Sequence, residues 1–121
     1  MAHFLIRAVP TGYKFDLMAA NGQSIATSEV YETRAACRKG LESVRKSAAK
    51  AKLEDQTCEG FPAVTNPKFE LFQDRGGNFR FRLKSRNGQV VAISESYTSK
   101  AACENGIESV RKNAPDAEIE E

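Results

Sequence analysis

Two periodicities alternate along this chain. Phe79-Arg80-Phe81-Arg82-Leu83-Lys84 alternates apolar and cationic residues without a break. A period of two sends the apolar residues to one face of a strand and the cations to the other. Tyr13, Phe15 and Leu17 repeat the pattern earlier in the chain. Phe4–Ala8 and Phe69–Gln73 read as preceding strands, and Ser24–Thr27 and Val90–Ile93 as following ones. The period then changes. Cys37, Leu41, Val44 and Ala48 fall at spacings of four, three and four, as do Cys103, Ile107, Val110 and Ala114. Each set makes one apolar stripe on a helix. Thr33 and Ser99 sit where an N-cap belongs. Short alternating segments, Ala51–Glu54 and Ala117–Glu120, follow each helix and suggest a further strand.

Turn chemistry separates these runs. Pro10-Thr11-Gly12 and Asp74–Asn78 join first to second strands. Asn21-Gly22 and Asn87-Gly88 predict type I′ hairpins between second and third strands. Gly40 and Gly106 interrupt the helices, where glycine costs about 0.5–1 kcal/mol relative to alanine. Close packing of helix on sheet is the expected reason.

The pattern occurs twice because the sequence does. Shifted by 66 positions, residues 21–48 are identical to 87–114 at 17 of 28 places. The repeats are residues 3–57 and 68–121, joined by a linker at 58–67. A single unit of this size has a marginal core and exposed sheet edges. Pairing the two cures both defects. The predicted fold is therefore α+β: two tandem βββα(β) repeats forming one antiparallel sheet with two helices on one face, a monomer with internal pseudo-twofold symmetry.

Composition narrows the function classes. Of 121 residues, 40% are hydrophobic and 28% charged, which excludes collagen-like and disordered chains. A net charge of +2 implies no strong overall field. No apolar run is long enough to span a membrane. Arg7 interrupts the N-terminal apolar run too early for a secretory signal, so a cytoplasmic location is expected. Cys37, Cys58 and Cys103 lack metal or disulfide spacing, and His3 is the one histidine. Cys37 and Cys103 read as reduced, buried thiols, and no cofactor or metal is implied.

Several segments together carry a family resemblance. They are Phe69–Asp74, Phe79–Lys84, Asn87-Gly88, Ser94–Lys100 and Gly106–Val110. The chain resembles the YegP-like family, small bacterial proteins of uncharacterised function. The resemblance implies a short terminal strand exchanged between repeats, and it brings no catalytic residue. The first repeat departs from the pattern, with Asp16 and Met18 where the second has Arg82 and Lys84.

Three places carry candidate chemistry. Glu29 and Tyr31, with Glu95 and Tyr97, lie between third strand and helix, where free N–H groups begin a helix and a polar pocket can form. Arg80, Arg82 and Lys84 line one strand face. Arg34, Arg38 and Arg45 lie on one flank of the first helix, the strongest local electropositive feature. None of these makes a catalytic constellation. The sequence therefore reads as a non-catalytic interaction module for a protein or other anionic partner. Nucleic-acid binding through the basic first helix or the cationic strand face is the alternative.

Overall fold

In the computed structural model, which describes residues 2–121, the first repeat runs β1 (His3–Val9), β2 (Gly12–Met18), β3 (Ser24–Thr27), α1 (Arg34–Ala48) and β4 (Lys52–Asp55). The second runs β5 (Lys68–Gln73), β6 (Phe79–Lys84), β7 (Val90–Ser94), α2 (Lys100–Asn113) and, after a 3₁₀ turn at Ala114–Asp116, β8 (Glu118–Glu120). The eight strands make one sheet in the order β4-β5-β6-β7-β3-β2-β1-β8. The halves join where β3 meets β7 antiparallel, with Thr27 opposite Ile93. These are equivalent positions of the two repeats, so the pseudo-twofold axis passes between them.

The sheet is mixed rather than antiparallel throughout, which corrects the sequence reading. Its six central strands are antiparallel neighbours, but β4 lies parallel beside β5 and β8 parallel beside β1. A hairpin cannot join parallel neighbours; a crossover of about a dozen residues can. Residues 56–67 supply that connection between β4 and β5. Each repeat thus gives its last strand to the other repeat's edge.

Both helices cover the same face. Phe4, Phe15, Leu17, Phe69, Leu71, Phe81 and Leu83 of the sheet are buried with Cys37, Leu41, Val44, Cys103, Ile107 and Val110 of the helices in one continuous core. Phe4 meets Phe15 edge-on at 5.8 Å between ring centres, and Phe69 meets Phe81 at 6.0 Å. Thr33 and Ser99 cap the helices as expected, each side-chain oxygen accepting a backbone N–H at 3.1 Å.

The hairpins differ from the prediction in turn type. Gly22 and Gly88 have φ of +82° and +84°, whereas among the described residues none other than glycine has positive φ. A type I′ turn needs positive φ at both central positions. Here the Gly22 N–H donates to Ala19 O and the Ala19 N–H to Gln23 O, a three-residue loop ending in a left-handed glycine. The Asn21 carboxamide oxygen accepts the Gln23 N–H at 3.0 Å, so asparagine serves by side-chain bonding instead.

The helix glycines also have a specific reason. A Cβ on Gly40 would lie 2.6 Å from Tyr31 Cζ, and one on Gly106 would lie 2.9 Å from Tyr97 Cζ. The tyrosine ring, more than the sheet at large, occupies the missing side chain's place.

Candidate functional site

The strand-to-helix corners are built alike in both repeats. Ser28 Oγ accepts the Phe15 N–H at 2.9 Å and donates to Glu29 O at 2.7 Å. Ser94 does the same with Phe81 and Glu95. Tyr31 and Tyr13 exchange backbone hydrogen bonds, as do Tyr97 and Phe79. The Tyr31 ring stacks on Phe15 and the Tyr97 ring on Phe81. Burial raises both phenol pKa values. Glu29 and Glu95 are exposed. The corners therefore turn the chain and fill the helix notch, and the tyrosines are pointed into the fold.

The cationic strand face carries its own anion. Glu70, buried on the face opposite the helices, meets Arg82 at 2.5 Å, Lys68 at 3.3 Å and Lys84 at 3.5 Å. Burial opposes the ionised form of Glu70, but the Arg82 hydrogen bond and charge outweigh it and lower the pKa. The Arg82 guanidinium also lies 4.6 Å from the Phe72 ring centre. Arg80 donates to Ser94 O at 3.1 Å. Glu54 of β4 joins this network, with Lys68 at 2.8 Å and the Val64 N–H at 2.8 Å. These bonds, with one from Gln56, hold the Glu54 carboxyl down at about 2, the Lys68 contact being the largest cause. Through Val64 the linker is tied to the strand it has just left.

The flank of α1 is likewise engaged within the molecule. Arg34 meets Glu121 at 3.0 Å and Arg38 meets it at 4.0 Å. Arg45 pairs with Glu42, donates to Ala117 O and lies 5.7 Å from the Phe4 ring centre. The second repeat reproduces the scheme: Lys100 pairs with Asp55 at 2.5 Å, and Arg111 lies 5.2 Å from the Phe69 ring centre. Each exchanged strand is thus held by an ion pair to the start of the other repeat's helix. His3 belongs to this architecture as well. It is part of β1 and lies 3.1 Å from Glu120 of the exchanged strand β8.

A different set of cations is left over. Lys46 of α1 and Lys50 of the turn that follows it, with Arg86 of the β6–β7 turn, line an open cleft of about 700 Å³ together with Ser43, Ser47, Pro67, Ser85 and Asn87. No acidic residue lines it. Ser43, Lys46 and Ser47 recur at three- and four-residue spacing, so they share one side of the helix, and Lys50 follows in the next turn, its N–H donating to Ser47 O at 3.1 Å. Their neighbours Leu41, Val44 and Ala48 fix that side by being buried. Lysines suit the negative end of a helix, which alone would account for Lys46 and Lys50. It does not account for Arg86, which arrives from the other repeat. Ser85 and Asn87 shape the opposite wall: Asn87 Oδ1 accepts from Ser85 Oγ at 2.5 Å and from the Gln89 N–H at 3.2 Å.

The duplication makes this cleft informative. The equivalent places in the second half hold Ser109, Lys112 and Asn113 on α2 and Asp116 in the 3₁₀ turn, with Ala19, Ala20 and Asn21 in the places of Ser85, Arg86 and Asn87. Three cations become one cation and one anion. Asn113 Nδ2 there bonds Ser109 O at 2.9 Å and Ser109 Oγ at 3.2 Å. From the sequence, the basic helix points to Arg34, Arg38 and Arg45. The signal for the cleft was the serine–lysine stripe from 43 to 50, which differs between the repeats.

Comparison with known proteins agrees with this architecture. The profile of a domain of unknown function, DUF1508, matches the chain twice, over residues 11–55 and 74–121. The chain belongs to the DUF1508 family. Each match covers most of one repeat. A UPF0339 protein of Treponema denticola is 61% identical over 54 residues, covering 45% of this chain and 93% of that relative, which is therefore about one repeat long. A UPF0339 protein encoded in the 5′ region of the ptx operon of Stutzerimonas stutzeri is 38% identical over 109 residues, 90% of this chain and 85% of its own length. The solution structure of yegP from E. coli, described as a protein of unknown function, superposes with a TM-score of 0.80 at 27% identity, over 98% of this chain and 90% of that one. The YegP-like resemblance and the predicted fold class stand on these matches. The family is uncharacterised. No helix among the described residues is long and apolar enough to cross a membrane.

Proposed function

We propose that this protein is a non-catalytic cytoplasmic binding module whose working surface is the cleft between α1 and the β6–β7 turn, and whose ligand is an anion. One observation carries the reading. Among the described residues, the cations of the strand face and helix flank make internal pairs or bonds, whereas Lys46, Lys50 and Arg86 converge on a cleft with no anion of its own. Like charges that line one cleft repel one another, and a counter-charge in the cleft relieves that repulsion. The first-helix basicity singled out from sequence enters this reading through Lys46 and Lys50. Arg34, Arg38 and Arg45 serve the fold.

The test is a chemical-shift titration of ¹⁵N-labelled protein with inorganic pyrophosphate at low salt. Perturbed amides should cluster at residues 43–50 and 85–88. They should fade as salt rises, because exposed charges are screened over roughly 10 Å at 0.1 M. The triple variant Lys46→Gln/Lys50→Gln/Arg86→Gln should lose the response with an unchanged melting temperature, since all three side chains are exposed. Shifts centred on Arg80, Arg82 and Arg34 instead would refute the assignment of the cleft.

A further inference from the structure

We infer that the ligand of this cleft is a small polyhydroxylated phosphate ester, a sugar or polyol phosphate. The inference rests on the proposed anion-binding role of the cleft and adds the ligand's chemical class.

Charge comes first. A phosphate monoester carries about −1.5 to −2 at neutral pH and offers three strong acceptor oxygens. Lys46, Lys50 and Arg86 match a dianion better than the single charge of a carboxylate. Arg86 brings the planar fork suited to two phosphate oxygens, and the lysines bring point charges from the facing wall.

The remainder of the lining identifies the remainder of the ligand. A volume of about 700 Å³ lies within the range of small-molecule sites, roughly 300–1,000 Å³. It equals the liquid share of about twenty waters, so a bare phosphate would fill only part of it. The other lining groups are three hydroxyls, Ser43, Ser47 and Ser85, the Asn87 carboxamide and Pro67. The Ser43 and Ser47 hydroxyls can both donate and accept, which is what a ligand hydroxyl also requires of a partner, whereas Ser85, whose proton goes to Asn87 Oδ1, offers an acceptor. Asn87 Oδ1 is already committed to the turn, so its amide Nδ2 is the donor available to a ligand. No Phe or Tyr lines the cleft, which gives a nucleobase no ring on which to stack. Pro67 presents one small apolar surface, suited to the C–H face of a sugar.

The placement of these groups is also fixed before any ligand arrives. Ser47 and Ser85 are buried residues on opposite walls, one on a helix and one at a strand end. Rigid elements hold polar groups for recognition more exactly than loops do.

Four probes test the inference by the same ¹⁵N titration: D-glucose 6-phosphate, sn-glycerol 3-phosphate, inorganic phosphate and free D-glucose, with a short single-stranded RNA as competitor. At least one of the two esters should bind about tenfold or more tightly than inorganic phosphate, with shifts at 43–50 and 85–88. Free glucose should give no shifts. Lys46→Gln/Arg86→Gln should weaken the ester about tenfold or more, and Ser47→Ala should reduce the preference for ester over phosphate. Inorganic phosphate binding in the cleft as tightly as both esters would overturn the polyol assignment and leave the anion-binding role standing. RNA displacing the ester and binding more tightly would overturn the small-ligand class. No response to any anion would overturn both readings together.

Discussion

Lys68→Met should destabilise the protein by about 3–5 kcal/mol at neutral pH, the range for breaking a buried ion pair, and the deficit should shrink in acid. Lys68 sits between two buried carboxylates, 2.8 Å from Glu54 and 3.3 Å from Glu70. Those glutamates are neighbours across the parallel β4–β5 pair, so removing the ammonium leaves like charges side by side. Glu70 keeps Arg82 and Lys84, but Glu54 keeps only neutral partners, Gln56 and the Val64 N–H. The pH dependence follows from the direction of the shifts. Both carboxyl pKa values are lowered in the folded protein, Glu54 to about 2 from an ordinary 4.5. Their stabilisation is therefore complete above about pH 4.5 in the native protein and is lost as pH falls toward 2. In the variant the repulsion is itself removed by protonation, so the gap between the two proteins should narrow as pH falls from about 4.5 toward 2. Urea unfolding at neutral pH and in acid measures this. A deficit below 1 kcal/mol at neutral pH, or one that widens in acid, would contradict the network's role.

The second large effect has an unusual sign. Alanine is normally better than glycine inside a helix by roughly 0.5–1 kcal/mol. Gly40→Ala and Gly106→Ala should each instead destabilise by about 1–3 kcal/mol, the cost of overpacking. At Gly106 the new methyl would meet Tyr97 Cζ at 2.9 Å and Phe81 Cε2 at 3.0 Å, two rigid rings stacked on each other. Removing the larger obstruction should reduce the cost: in a Tyr97→Leu background, Gly106→Ala should destabilise by less than it does in the native protein, the Phe81 ring still lying 3.0 Å away. Thermal melts of the four proteins in this cycle check it. Gly106→Ala stabilising the native background would mean that the tyrosine does not occupy the helix notch.

How much was legible in the sequence depended on the range of the interaction. The stripe from Cys37 to Ala48, the alternation at 79–84 and the caps at Thr33 and Ser99 are local patterns, and the structure places them as read. The partner of a three- or four-residue strand is not local. Nothing within Lys52–Asp55 states that it will lie parallel to β5 rather than return to its own repeat. The pairing of Arg82 with Glu70 was recoverable in principle. The 74–78 turn sets the register that puts Glu70 opposite Arg82, and counting across the turn would have shown the strand face to be compensated. The arginines of α1 were harder, because Glu121 and Ala117 reach them only through the strand exchange. The cleft falls between these cases. Its Ser43–Ser47 wall is a visible helical stripe, but Arg86 joins it only once the two repeats share a sheet.

That sharing is the central claim, and the isolated second repeat tests it. In the whole protein β5 is completed by β4 of the first repeat, and β8 completes β1. Residues 68–121 produced alone should associate as a dimer that re-creates these pairs. Sedimentation should show the dimer at high concentration, and the melting temperature should fall as the protein is diluted. A well-ordered monomer whose melting temperature is independent of concentration would contradict the claim that neither repeat is complete without a second.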